Sequence, residues 1–414
     1  MKNKIFFALS TAAVMLFICS TPAFAKNGNG KNMCLTCHSE QKSQYDNADN
    51  VHASYDIACT DCHGGDSAQI DKDAAHANFK GKPHGKDITE LCGSCHSNPE
   101  YMAAFRIPTD QLAKYKTSHH GKKLYENDDN NVATCLSCHT NKKERHLIRK
   151  VKDSASPVAR QNLPYTCAEC HSNKELMQKY NLPSDVFDNY KKSVHGKKLL
   201  EEQDRAVPNC ASCHGSHGAT PPDTAHVSDV CGNCHSKTRE YFRESPHYGN
   251  LNECVECHSN HYIAKPSREM LKGEGRGHCG SCHSKDMMPK GLELASKIYD
   301  EFTGIDEQIN TAEKLILQAE LTGFYMEDEK GFIEDARREM THIIPLIHTA
   351  SYVKIEPVMR KSSSLIEQAK ADTNKKLQKA RDRKAIGAVV AVFIVFFVGI
   401  VFLKFRGILS KGLY

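Results

Sequence analysis

Residues 167–171 read Cys-Ala-Glu-Cys-His, and the same pattern, Cys-x-x-Cys-His, occurs nine times in this chain. Of the 19 cysteines in the 414-residue sequence, 18 belong to these nine copies. Their cysteine pairs are Cys34 and Cys37, Cys59 and Cys62, Cys92 and Cys95, Cys135 and Cys138, Cys167 and Cys170, Cys210 and Cys213, Cys231 and Cys234, Cys254 and Cys257, and Cys279 and Cys282. The histidines that end the copies are His38, His63, His96, His139, His171, His214, His235, His258 and His283. A pattern that uses nearly every cysteine decides how residues 34–283 fold.

The pattern Cys-x-x-Cys-His is the attachment signature of c-type haem. The two thiols add to the vinyl groups of one porphyrin, and the adjacent histidine ligates the iron from the proximal side. Zinc knuckles and disulfides also use closely spaced cysteines. However, a histidine directly after every second cysteine has no purpose in a tetrahedral zinc site, and disulfides do not explain the histidines. The sequence therefore predicts nine covalently bound haem c groups with nine proximal histidines.

The remaining 14 of the 23 histidines are candidates for the opposite, distal side of each iron. A haem with two histidine ligands is saturated and carries electrons, whereas a haem with one open position binds nitrite, hydroxylamine or oxygen. For the first pair of motifs, His76 and His84 both qualify, and we predict His84. The predicted distal ligands are His52, His84, His120, His146, His195, His217, His247, His261 and His348. This leaves His119, His226, His278 and His342 without an assigned role.

An internal repeat organises the motifs. Residues 92–139 align with residues 167–214 without a gap, at an offset of 75. The run Ser118-His119-His120-Gly121-Lys122-Lys123-Leu124 matches Ser193-Val194-His195-Gly196-Lys197-Lys198-Leu199. Shorter versions run from Cys231 through His247 to Cys254 and from Cys34 through His52 to Cys59. The repeating unit is therefore a pair of motifs with a histidine in the connecting segment; four pairs account for eight motifs, and residues 279–283 form the ninth.

The two ends of the chain predict its location. Lys2 and Lys4 precede an apolar run and the small-residue site Ala23-Phe24-Ala25, which is typical of a secretory signal peptide at 1–25. Residues 385–403 are uncharged and, at about 1.5 Å per residue, reach roughly 28 Å, one hydrocarbon core. Basic residues flank both sides of this stretch, so the signal peptide, and not the charge distribution, sets the expected orientation. We expect a haem domain at 26–290 in the periplasm, a helical bundle or stalk at 291–384, a bacterial inner-membrane span at 385–403 and a short cytoplasmic tail at 404–414.

An apolar stripe predicts long helices after residue 290. Its members step by alternating threes and fours, which is a heptad pattern. They are Ala295, Ile298, Phe302, Ile305, Ile309, Ala312, Ile316 and Ala319. A second helix is expected over 327–347 and a third from Pro357 into the span. Two interpretations stay open: a stalk, or a helical part that caps the last haem and supplies a ligand through His342 or, preferably, His348.

Composition limits the fold and the partners. Mean hydropathy is −0.55 and tryptophan is absent, so the porphyrins must take the place of an ordinary apolar core. The formal net charge is +5, but the propionates of nine haems would make the mature protein acidic, which argues against nucleic-acid binding. Pro and Gly interrupt every periodic run before residue 290. The predicted fold is mainly α with extensive loop: short helices wrapped around haems, then a long-helix bundle and one C-terminal transmembrane helix.

The chain resembles membrane-anchored multihaem cytochromes c of the doubled Cys-x-x-Cys-His kind, and the motifs over residues 34–283 carry the resemblance. Its helical tail is similar in outline to the C-terminal helices of multihaem nitrite and hydroxylamine enzymes. No motif ends in Lys, as the active haem of pentahaem nitrite reductases does. Small quinol-oxidising cytochromes of the same superfamily carry an N-terminal anchor, whereas the predicted span here is C-terminal. This difference argues against direct quinol oxidation.

The resemblance implies a periplasmic cytochrome of anaerobic respiration that transfers electrons. It would take electrons from a quinol-oxidising membrane partner and pass them to periplasmic cytochromes or reductases. One alternative is a multihaem reductase of nitrite, hydroxylamine or a sulfur oxyanion, with one five-coordinate haem. Another is a structural subunit of a respiratory complex, whose span packs against a b-type cytochrome. The residues fit an electron carrier better than an enzyme, and we assign no catalytic residue.

Overall fold

The structure, a computed structural model, describes residues 32–222 and 227–411. Over these residues it is helical and forms no strand; two isolated bridges join Gly64 to Phe79 and Asn141 to Glu144. The helices are α1 (Cys34–Cys37), α2 (Lys42–Tyr45), α3 (Cys59–His63), α4 (Lys72–Ala75), α5 (Lys86–His96), α6 (Pro99–Met102), α7 (Gln111–Thr117), α8 (His119–Asn127), α9 (Cys135–His139), α10 (Leu163–His171), α11 (Lys174–Lys179), α12 (Val186–Lys192), α13 (Val194–Leu200), α14 (Cys210–His214), α15 (Val227–Gly232), α16 (Ser236–Arg243), α17 (Cys254–His258), α18 (Pro289–Leu321), α19 (Glu327–Leu346) and α20 (Tyr352–Lys411). Short 3-10 helices lie at Ser39–Gln41, Ala53–Tyr55, Ala103–Phe105, Arg268–Leu271, Cys279–Ser281 and Ile347–Thr349. The predicted fold, with short helices and extensive loop before a long-helix part, is confirmed.

The chain divides into two compact units. Unit 1 comprises the residues up to Thr166 together with His217–Ala219, and unit 2 comprises Cys167–Ser216 and the residues from Thr220 onward. The domain boundaries predicted at residues 290, 384 and 403 mark changes in composition, not the limits of these two units, and they stay predictions. The predicted signal peptide at 1–25 lies outside the described residues.

The two copies of the 75-residue repeat contain the same elements. Helices α6, α7, α8 and α9 of the first copy begin at positions equivalent to those of α11, α12, α13 and α14 in the second. Met102 and its counterpart Met177 are 5% and 4% exposed, and Leu124 and Leu199 are both fully buried. Equal burial at equivalent positions means that each copy packs in the same way.

A serine and a glycine fix the turn between two helices of each copy. In the second copy the Gly196 N–H donates to Ser193 Oγ at 2.9 Å, and the Ser193 hydroxyl donates to the Tyr190 carbonyl oxygen at 2.6 Å. A Cβ atom on Gly196 would lie only 1.9 Å from that carbonyl oxygen, so no side chain fits there. The same bonds, at the same lengths, are formed by Ser118, Gly121 and Tyr115 in the first copy. The turn positions the first residues of α8 or α13, where the predicted distal histidine stands.

Unit 1 buries few apolar side chains. Apart from proline and glycine, its described apolar residues in the buried class are Met102, Leu124, Leu147 and Ala159. Segments of this size normally need a continuous apolar core, a metal or a comparable group to be stable. The thin core therefore fits a unit in which bound porphyrins replace aliphatic packing.

Unit 2 has a conventional core in its long helices. Helices α18 and α19 are antiparallel, and α20 packs on both. All eight residues of the predicted stripe, from Ala295 to Ala319, are at most 5% exposed, as the heptad pattern predicts. The facing helices contribute Ile333, Ile343, Ile355 and Ile366, each at most 2% exposed. The expected third helix is real but begins at Tyr352, so Pro357 lies inside its second turn.

The motif-bearing part of unit 2 shares this core. Leu271, 9% exposed, belongs to the same apolar cluster as the long helices, and Tyr241 and Cys279 pack against it. Helix α16 contacts α19 and the 3-10 turn that follows it. Lys354 also forms an ion pair with Glu244. This packing favours the interpretation in which the helical part caps the haem region over the interpretation as a separate stalk.

The second half of α20 has a different environment. Ala380 is its last buried residue, and from Arg381 to Leu409 every described side chain is exposed. Over the described residues one helix, Tyr352–Leu409, is long and apolar enough to cross a membrane, with a mean hydropathy of 3.1 in its most apolar window. A fully exposed apolar stretch is stable only outside water. The helix therefore fits a single-pass membrane protein.

Candidate functional site

The attachment motifs lie on short helices or at helix ends. Six complete motifs are helical throughout and lie in α3, α5, α9, α10, α14 and α17. An α-helix places residues i, i+3 and i+4 on one face, so the two thiols and the imidazole of each motif lie on the same side. This is the arrangement that thioether attachment and proximal ligation of one porphyrin need.

Side-chain caps make five-residue helices possible. A helix this short is unstable by itself, since its first N–H groups have no intrahelical acceptor. Before α14, the Ser212 N–H donates to Asn209 Oδ1 at 3.2 Å, and the Asn209 N–H donates to Ser212 Oγ at 3.1 Å. Thr134 and Ser137 form the corresponding cap at α9. The residues around Cys-x-x-Cys-His thus stabilise the conformation that the motif requires.

Proximal histidines lie opposite a second histidine in both units, and eight such pairs are described below. The distances between ring centres fall within a narrow interval. The pairs are His38–His76 (6.4 Å), His52–His96 (6.1 Å), His63–His146 (6.1 Å), His139–His217 (6.2 Å), His195–His235 (6.3 Å), His214–His261 (5.9 Å), His247–His283 (5.9 Å) and His258–His348 (6.1 Å).

The distance within these pairs matches two imidazoles on one metal ion. An imidazole nitrogen binds a first-row metal at about 2.0–2.1 Å, and it lies about 1.1–1.2 Å from its ring centre, so the centres of two opposed rings are about 6.2–6.6 Å apart. Direct contact between stacked aromatic rings would allow centres from about 4.5 Å. That range extends to about 7 Å and includes these pairs. What fits an iron between the rings is that a motif histidine takes part in every pair and that all the distances fall between 5.9 and 6.4 Å. The donor set, two imidazoles beside two thiols, is that of a haem c with two axial histidines.

Most candidate distal histidines lie opposite a motif of a neighbouring pair, and not opposite a motif of the pair in which they stand in the sequence. The histidine that connects the two motifs of a pair lies beside the first motif of the next pair. This holds for His52 with His96 and for His195 with His235. His247 of the fourth pair lies beside His283 of the unpaired ninth motif.

A second set of histidines lies opposite motifs of the preceding pair in the sequence. The histidine that follows the second motif of a pair lies beside the second motif of the preceding pair. This holds for His146 with His63, His217 with His139 and His261 with His214. Consecutive pairs within each unit therefore exchange ligands in both directions. His348 of the long-helix part lies opposite His258 of the eighth motif, and not at the last motif, where it was expected. The ninth motif instead has His247 opposite its histidine, because the connecting segment of the fourth pair reaches it first.

The structure differs from the prediction at the first motif. It places His76, and not His84, opposite His38. Asp71 caps α4 by accepting from the N–H groups of Asp73 and Ala74, and His76 follows directly at the helix end. The His84 side chain is 82% exposed and lies 3.9 Å from Asp87. The sequence signal that favours His76 is the Asp71 cap, which sequence analysis did not use.

Other histidines lie outside the eight pairs above. His120, the repeat counterpart of His195, stays a predicted ligand. His226 lies outside the described residues. The His342 side chain is 65% exposed and lies 3.8 Å from Glu339, away from the motifs. The Nδ1 atom of His278, directly before the ninth motif, is buried without a hydrogen bond among the described residues.

Backbone carbonyls select the tautomer of several rings. His63 Nδ1 lies 3.2 Å from the Gly81 carbonyl oxygen, His214 Nδ1 3.2 Å from that of Thr220, and His76 Nδ1 2.7 Å from that of Lys72. A carbonyl oxygen only accepts, so each Nδ1 carries the proton and donates it. The Nε2 lone pair remains available for a metal; a hydrogen bond from the other ring nitrogen usually orients a ligating histidine in this way.

Burial favours the neutral form of several of the paired imidazoles. Burial, with smaller contributions from His217, His96 and His52, lowers the pKa of His139 to about 4. Burial also lowers the pKa of His195 and of His258, and in each pair the partner ring adds to the effect. A neutral imidazole is the form that ligates iron, so the site favours the required protonation state before any metal binds.

The thiols show which attachment sites are neighbours. Within each pair, hydrogen bonds join the first cysteines of the two motifs: Cys34 with Cys59, Cys92 with Cys135, Cys167 with Cys210, and Cys231 with Cys254. Electrostatic contacts join the second cysteines of successive pairs: Cys62 with Cys95, Cys213 with Cys234, and Cys257 with Cys282. Sites that follow one another in sequence are therefore neighbours in space, motifs one to four in unit 1 and motifs five to nine in unit 2.

Comparison with known families agrees with this chemistry. The family model for the doubled CXXCH motif matches residues 249–288, which contain the eighth and ninth motifs. No curated protein and no solved structure gives a significant match to the chain. The motifs point to covalently bound haem c, and the match supports a multihaem c-type cytochrome-like protein suited to electron transfer.

Proposed function

We propose that this chain is a periplasmic, membrane-anchored cytochrome c that relays electrons and carries nine covalent haems, each ligated by two histidines. The observation that carries the proposal is the set of eight histidine pairs with ring centres 5.9–6.4 Å apart. Haem c, when bound, supplies a one-electron iron couple whose potential depends on its axial ligands.

The histidine pairs favour a relay over a reductase. A substrate such as nitrite needs an open position on a metal, and an opposed imidazole closes that position. Most histidine pairs also join residues from two different motif pairs. The distal histidine is then held by a backbone segment different from the one that holds the proximal histidine. That arrangement limits movement of either ring and makes loss of a distal ligand costly.

The neighbour relations among the motifs support a linear arrangement of sites within each unit. The His348 contact places the eighth motif, the last but one of the unit 2 series, against the long-helix part. We propose that the electron donor is a quinol-oxidising partner in the inner membrane and that the acceptors are periplasmic cytochromes or reductases. The span would keep the chain close to its donor by raising the effective concentration.

The test is the spin state of the purified full-length protein. Absorption and EPR spectra should show low-spin haem at every site, and intact mass spectrometry should show nine haems on a chain that begins at Lys26. A high-spin signal that accounts for one haem, together with turnover of nitrite or hydroxylamine without a partner, would replace the relay by the reductase.

A second experiment tests the anchor. Truncation after Arg383 removes the exposed apolar part of α20 but keeps Ala380 and the buried core of the bundle. This form should be soluble, keep its haems and react with small redox dyes, yet lose quinol-dependent reduction by membranes at low concentration. If membranes reduced the truncated form as fast as the full-length protein, the anchor would have no role in electron delivery.

A further inference from the structure

The turn between α18 and α19 exposes apolar side chains without a partner in unit 2. Residues 321–326 read Leu-Thr-Gly-Phe-Tyr-Met and carry no charge. Leu321 and Tyr325 are each 80% exposed, whereas Met326 is 1% exposed and belongs to the core. The turn is rigid: Gly323, at φ +89°, donates its N–H to the Glu320 carbonyl oxygen, and Phe324 donates to that of Ala319. These bonds form a Schellman cap, so the exposed side chains are held outward by the backbone.

This turn lies beside the start of the apolar part of α20. The Lys376 ammonium donates to the Tyr325 carbonyl oxygen at 2.9 Å, and the Arg383 guanidinium lies 5.1 Å from the centre of the Phe324 ring. The uncharged stretch begins at residue 385, about 3 Å further along the helix. The head-group layer of a bilayer is about 5–7 Å deep on each side of the hydrocarbon. The turn is therefore level with the head groups when the span is in the bilayer.

The charges around the turn fit the same surface. The adjacent part of α20, residues 375–384, contains six basic residues and one acidic residue, Asp382. Glu327 and Asp328 follow the turn at the start of α19, where the helix N-terminus favours acidic residues. Tyrosine and leucine beside basic residues are typical of segments that lie at a membrane interface.

We infer that the 321–325 turn inserts into the head-group region of the bilayer that holds the span, with Leu321 and Tyr325 reaching the edge of the hydrocarbon. This inference rests on the proposed membrane anchoring. The chain would then touch the bilayer at two points on different helices. Two points fix the tilt of the bundle against the membrane, which a single span leaves free.

The experiment uses the full-length holoprotein in vesicles of zwitterionic and anionic phospholipids. The motif cysteines are consumed by haem attachment, so Leu321→Cys introduces a thiol that takes a nitroxide label. Val353→Cys is the matched control, because Val353 is 79% exposed at the opposite end of the bundle. Val395→Cys, in the apolar stretch and 72% exposed, reports on the span itself. EPR power saturation measures the collisions of each label with oxygen, which concentrates in lipid, and with a water-soluble nickel complex.

The expected result is an oxygen-to-nickel collision ratio several-fold higher at 321 than at 353, and highest at 395. A ratio at 321 equal to that at 353, with 395 in lipid, would overturn the inference and leave the anchoring intact. A water-exposed label at 395 would overturn the anchoring as well. Each collision rate is taken as the increase over the rate without oxygen or nickel, which removes the contribution of haem iron near His348 to the relaxation of the label at 353. The label at 321 is far from the motifs, because α18 extends over 33 residues.

Discussion

The imidazole of His348 lies 6.1 Å, between ring centres, from that of His258, the last residue of the eighth motif. His348 stands in the 3-10 turn after α19, and its Nδ1–H donates to the Pro345 carbonyl oxygen at 3.1 Å. Burial lowers the pKa of His348, so its ring is neutral with a free Nε2 lone pair. The long-helix part therefore contributes a ligand-type group to the attachment region.

Replacing His348 tests this contact. His348→Ala should convert one haem from low spin to high spin, because the sixth ligand of one iron is removed. Quantitative EPR measures the change, and added imidazole should reverse it by filling the vacated position. His342→Ala is the control and should leave the spectrum unchanged, since His342 is mostly exposed. An unchanged spectrum in the His348 variant would return the helical part to the role of a stalk.

His76 and His84 separate the structural assignment from the sequence prediction. His76→Ala should produce one high-spin haem, because His76 lies opposite His38. His84→Ala should leave all haems low-spin, because His84 is exposed beside Asp87. Absorption and EPR spectra of both variants decide the question. The reverse pattern would restore His84 as the distal ligand of the first motif.

The angles between paired rings predict different EPR signals. The rings of His139 and His217 are nearly parallel, at 11°, whereas those of His38 and His76 are 70° apart. Parallel axial imidazoles split the iron d orbitals strongly and give a rhombic low-spin signal; crossed imidazoles leave them nearly degenerate and give a signal with a large maximum g value. The difference spectrum between wild type and His217→Ala should contain the rhombic signal, and that for His76→Ala the large-g signal. Identical difference spectra would show that the bound rings have other orientations.

Gly196 should tolerate no side chain. In Gly196→Ala the added methyl meets the Tyr190 carbonyl oxygen, so we expect destabilisation by about 2–3 kcal/mol. Gly304→Ala is the control: nothing lies within 4 Å of its Cβ position in α18, and the change should stabilise by about 0.5–1 kcal/mol. Midpoints of thermal unfolding measure both effects. Equal midpoints would mean that the turn before His195 is adaptable.

Lys376 neutralises a buried carboxylate. Its ammonium lies 2.7 Å from Glu329 Oε1, and Glu329 is 2% exposed. Lys376→Ala leaves that carboxylate unpaired and should destabilise the bundle by about 3 kcal/mol. Lys375→Ala removes only an exposed pair with Asp372, so a loss below about 0.5 kcal/mol is expected. Denaturant unfolding followed by helical circular dichroism compares the two; similar losses would mean that solvent screens Glu329.

Local patterns predicted much of this structure. The heptad stripe identified every core residue of α18 because helical periodicity places them on one face whatever the partner. The repeat fixed which residues of the two copies are equivalent. The pairing of distal with proximal histidines could not be predicted from local patterns, because a distal histidine lies opposite a motif from another part of the chain. At the first motif the choice between His76 and His84 depended on a cap at Asp71 that orders a four-residue helix.

By itself, the sequence determined the chemistry of the attachment motifs, the helical class of the fold, the apolar stripe and the apolar stretch of α20, because each depends on residues close together in the chain. Only the tertiary structure decided which imidazoles are opposed, which attachment sites are neighbours, and that His348 lies beside the eighth motif rather than in solvent. Such relations depend on how separate segments pack, and the same spacing of histidines along the chain is compatible with many pairings. The packing of Leu271 and Tyr241 against the long helices selects, among these pairings, the one of His348 with His258.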